Sequence, residues 1–426
     1  MIKAVRGMRD LLPPETALWN FVEAAARDLF RDYNFREIRT PIIEETQLFA
    51  RSVGEATDIV SKEMYTFEDR GRAESDKRQS LTLRPENTAG VVRAYIEHKL
   101  WERGLQKLFY IGPQFRRERP QKGRYRQFFQ IGAEVIGPPA SGSESPARDA
   151  EILEMLASLL DRLGIANWTL QLNSVGCPAD RERYNQVLRE ALGPVVGQMC
   201  EDCQRRAVTN PLRVFDCKVP EDQPIIEKLP RISDYLDEPC RKHFEEVQGI
   251  LQAVGVPYTL NNRLVRGLDY YTRTAFEFTH GALGAQNAIL GGGRYDGLSE
   301  SLGGPGAPGI GFAIGEDRLV LALSESAEAL SSPPDVYIAP LGEGMNREAA
   351  RVARELRRHD VIVELGDESF RLKKSLELAS RMNARFALIV GENEVKSDTF
   401  ALKNLATGEQ VSVPRTELPS CIQKIG

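Results

Sequence analysis

The chain has no apolar run long enough to cross a bilayer, which takes about 20 consecutive apolar residues. Its hydrophobic residues, 42% of 426, are interspersed with 27% charged ones. The opening stretch, Met1-Ile2-Lys3-Ala4-Val5-Arg6-Gly7-Met8-Arg9-Asp10, has neither the apolar core nor the small-residue cleavage site of an export signal. The expectation is a cytoplasmic protein with no membrane partner, its six cysteines reduced and the Asn167-Trp168-Thr169 sequon unused. Large excess charge is missing too. A net charge of −5 argues against coating nucleic acid by bulk attraction, while leaving room for a local basic surface. Histidine is scarce: His98, His243, His280 and His359 are scattered without metal-ligand spacing and read as structural or surface residues. No G-x-x-x-x-G-K-[ST] loop occurs, which removes the ordinary P-loop NTPases. A G-x-G-x-x-G string at Gly304, Gly306 and Gly309 carries Pro305 and Pro308 and leads into a strand before any helix. It reads as a glycine-rich turn, not a dinucleotide site.

The length allows two or three domains with a well-buried main core. Residues 13–33 predict a helix with Leu18, Val22, Ala25 and Leu29 on one stripe, and 35–43 a strand whose Pro41 suits an edge or a subunit contact. Strands are expected at 64–68 and 80–84, a helix at about 85–100, and an antiparallel pair at 107–116 and 126–136 around a basic loop. A strong amphipathic helix covers 147–163 and stops at Gly164. From Cys177 to about Val256 the pattern turns helical and polar, as in an insertion, before strand character resumes at 258–261 and 264–279. Pro333 and Pro334 form a linker. Beyond them, strand (336–339), helix (346–358), strand (361–364), helix (371–382), strand (386–390) and a hairpin at Thr407-Gly408 predict a small α/β domain.

Five blocks concentrate polar chemistry. In Leu83-Arg84-Pro85-Glu86-Asn87-Thr88-Ala89 a carboxylate and a hydroxyl flank a helix start, which fits a ligand pocket or a plain helix cap. The run Arg116-Arg117-Glu118-Arg119-Pro120-Gln121-Lys122-Gly123-Arg124-Tyr125-Arg126 is densely basic, suited to phosphate or to a solvated loop. Next, strand alternation puts Phe129, Ile131, Ala133 and Val135 on one face and Gln130, Gly132 and Glu134 on the other, a polar slot with Arg116 close by. Arg266-Gly267-Leu268-Asp269-Tyr270-Tyr271 offers a cation and two phenols. Leu290-Gly291-Gly292-Gly293-Arg294-Tyr295-Asp296-Gly297 lets a ligand approach backbone, and Gly309 to Leu319 runs from a glycine-rich strand into a helix with Arg318 near its start.

Taken in order, these blocks resemble the histidyl-tRNA synthetases, a family of class II ligases, and the likeness runs from Arg6 through the C-terminal domain. Arg116 with its loop is similar to the second class II motif, Arg318 to the third and Pro41 to the proline of the first, which implies a homodimer. Blocks 266–271 and 290–297 are the histidine-specific ones, and both are intact. The resemblance implies an α+β fold: an antiparallel-sheet catalytic domain over 1–327 with a mostly helical insertion at about 177–256, and an α/β anticodon-binding domain over 333–426.

It also implies roles. Glu86, Thr88 and Gln130 hold the α-ammonium of L-histidine; Glu134 and Tyr271 read the imidazole nitrogens, with Tyr270 completing the wall. Arg116 grips the α-phosphate of ATP and Arg318 the γ-phosphate, with Glu118 in the ATP site. Arg266 sits by the carboxylate and the α-phosphate, so Arg266 and Arg116 carry catalysis. Arg119, Lys122, Arg124 and Arg126 contact the histidine tRNA, as do Arg371, Lys373 and Lys374 in the last domain. ATP is the co-substrate, accompanied by Mg²⁺, and no tightly bound cofactor is expected. Adenylation fits these residues without a general base, because the substrate carboxylate itself attacks the α-phosphate.

Asn87 departs from the family, many of whose members carry glycine there, which bears on the ammonium pocket. Cys200-x-x-Cys203 with Cys217 and Cys240 leaves zinc or reduced structural cysteines open; the family does not require a metal, so none is expected. A non-catalytic regulatory relative that senses histidine lacks the last domain and parts of the ligand blocks, whereas both are present here. A class IIa ligase for another amino acid is opposed by Glu134 and the 266–271 block, and a structural RNA-binding protein leaves the polar slot unexplained.

Overall fold

Strand alternation, with apolar residues packed under a helix on one side and a polar row on the other, organises the main sheet. The computed structural model describes residues 2–424 apart from 55, 56, 58, 70–78, 122, 266, 282–286 and 324–332. It divides into two units, Met1–Ala329 and Leu330–Gly426. The first runs α1 (Glu15–Asp32), β1 (Arg36–Glu37), β2 (Ile43–Glu45), α2 (Thr46–Val53), β3 (Tyr65–Asp69), β4 (Gln79–Leu83) and α3 (Thr88–Glu97). There follow β5 (Gln106–Phe115), β6 (Gln127–Ile136), α4 (Pro146–Arg162), β7 (Trp168–Ser174), α5 (Pro178–Leu192), α6 (Glu201–Thr209), α7 (Gln223–Ile226) and α8 (Glu238–Ala253). The unit closes with β8 (Thr259–Leu260), β9 (Thr272–His280), β10 (Ala288–Arg294), α9 (Leu298–Ser301), β11 (Gly309–Gly315) and α10 (Glu316–Ala322).

Eight strands form one sheet in the order β1-β5-β6-β11-β10-β9-β7-β8, antiparallel throughout its interior and parallel only at the two outer pairs. Phe109, Ala133 and Phe312 are register partners across β5, β6 and β11. Phe30 of α1 stacks on Phe109 with centroids 4.5 Å apart and lies 6.3 Å from Phe312, so α1 covers that face. The opposite face carries the row Tyr110, Gly132, Ala313 and Gly291, and beside it the row Leu108, Glu134, Gly311 and Gly293.

Several boundaries differ from expectation. The strand expected at 35–43 reduces to β1 and β2, with Pro41 exposed between them, because proline has no N–H for a ladder. The helix expected from 85 begins at Thr88: Pro85 and the Arg84 guanidinium, bonded to the carbonyls of Pro113 (2.9 Å) and Thr40 (3.0 Å), fix an extended entry. The strand expected over 264–279 begins only at Thr272. Strand β7, which was not expected, pairs antiparallel with β9. Gly164 ends α4 at φ +71°, with its N–H on the Asp161 carbonyl. Residues 177–256 are helical, yet α8 packs back on α4, where His243 Nε2 meets Asp149 Oδ2 at 2.8 Å. Asp149 also takes Arg294, which is fully buried and binds Asp296 as well, so this arginine pins the sheet and faces no ligand.

Glu316, at the start of α10, is buried and neither carboxylate oxygen has a hydrogen-bond partner among the described residues. Burial, then the charges of Glu23 and Asp317, push its carboxyl up to about 9. Between the ordinary carboxylate range and that value the folded chain holds a proton that the unfolded chain releases. Stability therefore falls as pH rises through this window. Glu316→Met is expected to melt higher than the parent by at least ~3 °C at pH 8.5, with the gap closing at pH 5. A gap that does not change with pH would contradict this.

In the second unit β12 (Val336–Leu341), α11 (Met345–Arg357), β13 (Val363–Leu365), α12 (Leu372–Arg381), β14 (Phe386–Gly391), α13 (Glu392–Ser397), β15 (Thr399–Asn404), β16 (Gln410–Pro414) and α14 (Leu418–Lys424) follow in order. The sheet order is β13-β12-β14-β15-β16, parallel at β13, β12 and β14. Val336, Ile338, Phe386 and Leu388 pack under Val352 and Leu356 of α11 and Leu418 and Ile422 of α14. Tyr337, Ala339 and Ala387 pack with Ala379 of α12.

Candidate active site

The polar face of the sheet is deep because its glycines leave space for neighbouring side chains. A Cβ at Gly132 would overlap the Tyr110 ring, and one at Gly311 would overlap the Glu134 carboxylate. Gly293 makes room for Tyr271 in the same way, and Gly292 sits against the Gly311 carbonyl and Phe276. Of this glycine run, Gly291 lines two cavities, whereas Gly292 and Gly293 make room for the chain's own groups.

A narrow cavity of about 160 Å³ is lined by Glu86, Thr88, Tyr110, Arg116, Gln130, Tyr270, Tyr271 and Tyr295, among others. Five of the residues expected to hold an amino acid therefore meet there, together with Arg116. Glu134 lies just behind this space, fully buried, accepting hydrogen bonds from Thr88 Oγ1 and Tyr295 Oη, each at 2.6 Å. Burial pushes its carboxyl up to about 8 against the pull of those two hydroxyls. Glu86 caps the start of α3, accepting from the N–H groups of Thr88 (2.7 Å) and Ala89 (3.0 Å), and it lines the cavity. Burial raises its carboxyl above the ordinary range, opposed by those N–H groups and by Arg116. Gln130 Oε1 and Tyr110 Oη are buried with no hydrogen-bond partner among the described residues. Orphaned polar atoms facing a cavity call for a polar ligand.

A wider cavity of about 350 Å³ adjoins it through Arg116 and Gly291, and carries Arg124 and Arg318 with Glu63, Glu118, Phe128, Glu277 and Asp317. Burial and the nearby Arg124 lower the Arg318 pKa, a crowding of cations that a bound anion relieves. Arg116 donates Nε–H to the Pro85 carbonyl at 2.9 Å and sits 5.3 Å from the Phe128 ring centroid. The basic loop is braced from the N-terminal segment: Arg126 donates its backbone N–H to Gly7, and Arg9 lies over Tyr125 and pairs with Glu15 and Asp317. Of the expected tRNA contacts, Arg124 faces the wide cavity and pairs with Glu118 at 3.3 Å, Arg126 is tied to the N-terminal segment, and Arg119 is exposed. Lys122 and Arg266 lie outside the described residues.

Asn87 does not line the cavity; its Oδ1 accepts from Thr40 Oγ1 at 2.7 Å. Tyr110, Tyr295 and Phe128 were not singled out from the sequence. Tyr295 lay within a quoted block, and Tyr110 was accessible by pairing strand 107–116 against Gly132. Cys240, grouped with three other cysteines from the sequence, belongs elsewhere: Cys200, Cys203 and Cys217 gather with Asp222, whereas Cys240 joins Cys177, Asp180 and Asp237.

An antiparallel sheet that presents an amino-acid-sized slot and an arginine-lined cavity sharing one guanidinium fits the class II aminoacyl-tRNA synthetases, which the sequence blocks resemble. Comparison with known proteins narrows the class. Residues 7–319 match the family described as histidyl-tRNA synthetase, and 335–425 match an anticodon binding domain. A histidine–tRNA ligase of Koribacter versatilis is 69% identical, covering 100% of this chain and 97% of its own length. One from Solibacter usitatus is 59% identical, covering 98% of each. The apo histidyl-tRNA synthetase of S. aureus superposes with a TM-score of 0.80 at 37% identity, over 99% of this chain and 100% of that one. The chain belongs to the histidyl-tRNA synthetase family.

Proposed function

We propose that the narrow cavity holds L-histidine and the wide one ATP, and that the histidine–tRNA ligase reaction of this family runs where the two share Arg116. The observation that carries this reading is the meeting of unsatisfied Tyr110 and Gln130 atoms, the buried Glu86 and Glu134 carboxylates and Arg116 at a single slot. Glu86, Thr88 and Gln130 take the α-ammonium, which also relieves the desolvated Glu86 carboxylate. Glu134 and Tyr271 read the imidazole nitrogens, and Tyr270 walls the slot.

The substrate carboxylate then attacks the α-phosphorus, pyrophosphate leaves, and histidine is afterwards transferred to the 3′ end of its tRNA. Arg116 and Arg266 stabilise the charge that builds on the α-phosphate, while Arg318 and Arg124 hold the outer phosphates. Phe128 offers a stacking face for the base. The wide cavity's carboxylates supply the hard oxygen donors Mg²⁺ prefers, and Glu63 and Glu277 would hold the ion, which neutralises phosphate charge when bound.

Arg119 and the exposed Arg371, Lys373 and Lys374 at the start of α12 are placed for tRNA phosphates. Edge strand β1 and the exposed Pro41, Ile42 and Ile43 support a homodimer contact in a cytoplasmic enzyme. The test is amino-acid-dependent exchange of pyrophosphate into ATP across all twenty amino acids. Exchange with histidine alone is expected. Exchange with another amino acid instead would overturn the substrate assignment, and histidine binding without exchange would indicate a regulatory relative.

A further inference from the structure

We propose that Cys200, Cys203, Cys217 and Asp222 form a structural zinc site that staples the insertion together. The four ligand atoms lie within 4.8 Å of one another, and Cys203, Cys217 and Asp222 are buried. Cys200 Sγ and Cys217 Sγ stand 3.8 Å apart, and Cys217 Sγ stands 3.2 Å from Asp222 Oδ2. A tetrahedral zinc with bonds of about 2.3 Å to sulfur sets its thiolates roughly 3.7 Å apart, whereas a disulfide needs about 2.05 Å. The sulfurs are also prepared as acceptors: the Cys203 N–H points at Cys200 Sγ and the Val219 N–H at Cys217 Sγ, both at 3.4 Å. Such N–H donors stabilise a coordinating thiolate, and the Cys200 N–H orients Asp222 through contacts of 3.1 and 3.2 Å. Asp222 is 1% exposed and has no ion pair with lysine or arginine among the described residues, so its carboxylate is met by the Cys200 N–H and the Cys217 thiol.

The second cluster is different in kind. Asp180 accepts the N–H groups of Cys177 (3.2 Å) and Asp237 (2.9 Å) and pairs with Arg183, and Asp237 caps α8 through the Cys240 N–H at 2.8 Å. Its carboxylates are committed to helix starts and a guanidinium, and it supplies only two thiols.

The proposed site joins the start of α6 to the turn at 217–222 and encloses the segment between them. That segment carries Asn210, whose Nδ2 donates to Asp269 at 3.0 Å, and Phe215, packed in one core with Tyr271. Zinc there fixes the support beneath the 267–271 loop. This last consequence rests on the histidine-site reading; metal binding itself does not.

The test uses the full chain, purified reduced and without chelator. Elemental analysis is expected to give about one zinc per chain, and cobalt added to the stripped protein to give thiolate-to-cobalt absorption. Zinc is expected to protect Cys200, Cys203 and Cys217 from alkylation, read by peptide mass, while Cys421 still reacts. Cys217→Ser is expected to weaken binding about 100-fold, and Cys177→Ser to leave it unchanged. Absence of cobalt–thiolate absorption in the reduced wild-type chain would overturn the proposal, as would protection confined to Cys177 and Cys240 or a Cys200–Cys217 disulfide. Each of these readouts stands whether or not a variant folds. Metal uptake with unaltered histidine kinetics on stripping would keep the site and remove only its link to the loop.

Discussion

Replacing Arg116 with alanine is expected to lower histidine-dependent pyrophosphate exchange by about a thousandfold, mostly in kcat. Arg116 borders both proposed substrate cavities and also a third, larger one lined by Arg263, Leu264 and Gly267. Its Nε is already bonded to the Pro85 carbonyl and Phe128 lies beside it, so its position is set before any ligand arrives. A fixed guanidinium needs little reorganisation as charge builds on the α-phosphate oxygens. Alanine also removes a cation that, with the Ala89 and Thr88 N–H groups, opposes the upward push of burial on the Glu86 carboxyl, so part of the loss will appear as weaker histidine binding. Arg116→Lys separates the two effects. It keeps a charge near Glu86 but loses the planar fork, so KM for histidine should recover while kcat stays at least tenfold low. Exchange within threefold of the parent for Arg116→Ala would remove this residue from the reaction.

The slot was legible in the sequence wherever local period decides structure. Alternation along 127–136 is a property of the strand itself, so Gln130 and Glu134 could be placed on one face before any partner was known. What lies opposite depends on register between distant strands. Tyr110 enters the slot only because β5 pairs residue 110 with Gly132, and Tyr295 reaches Glu134 across 161 residues of sequence. The glycine run at 291–293 misled for a related reason. A missing Cβ shows that something approaches closely, but not whether that is a ligand or, as at Gly293, the chain's own tyrosine. The cysteines follow the same rule: Cys200 and Cys203 share one helical turn and group correctly by spacing. Cys217 and Cys240 are sorted only when the intervening helices fold, with Cys240 falling to the cap of α8. Strand β7 was missed although Leu170 and Leu172 alternate with Thr169 and Gln171 along it.

Glu134→Gln is expected to lower kcat/KM for histidine by about 100-fold or more and to remove an ionisation near pH 8 from the pH profile. Glu134 is buried, its two oxygens take hydroxyl donors, and burial pushes its carboxyl up to about 8, so in the empty site it is largely protonated at neutral pH. Free imidazole titrates near ~6.5. Between those two values the carboxyl and the incoming ring share one proton, and histidine binds without proton exchange with water. Below the window both partners are protonated and the ring finds no acceptor. Above it the shared proton is lost, so kcat/KM falls as pH rises through about 8. Glutamine cannot share a proton in this way, and its profile should stay flat there. The substitution has an opposite effect on folding. Because the folded-state value lies above the ordinary one, wild-type stability declines as pH rises from about 4.5 toward 8. Glu134→Gln should therefore melt above the parent at pH 8.5 and close to it at pH 5. An unchanged alkaline limb in the variant would show that another group titrates there. Retained kcat/KM would mean that the imidazole is read elsewhere in the slot.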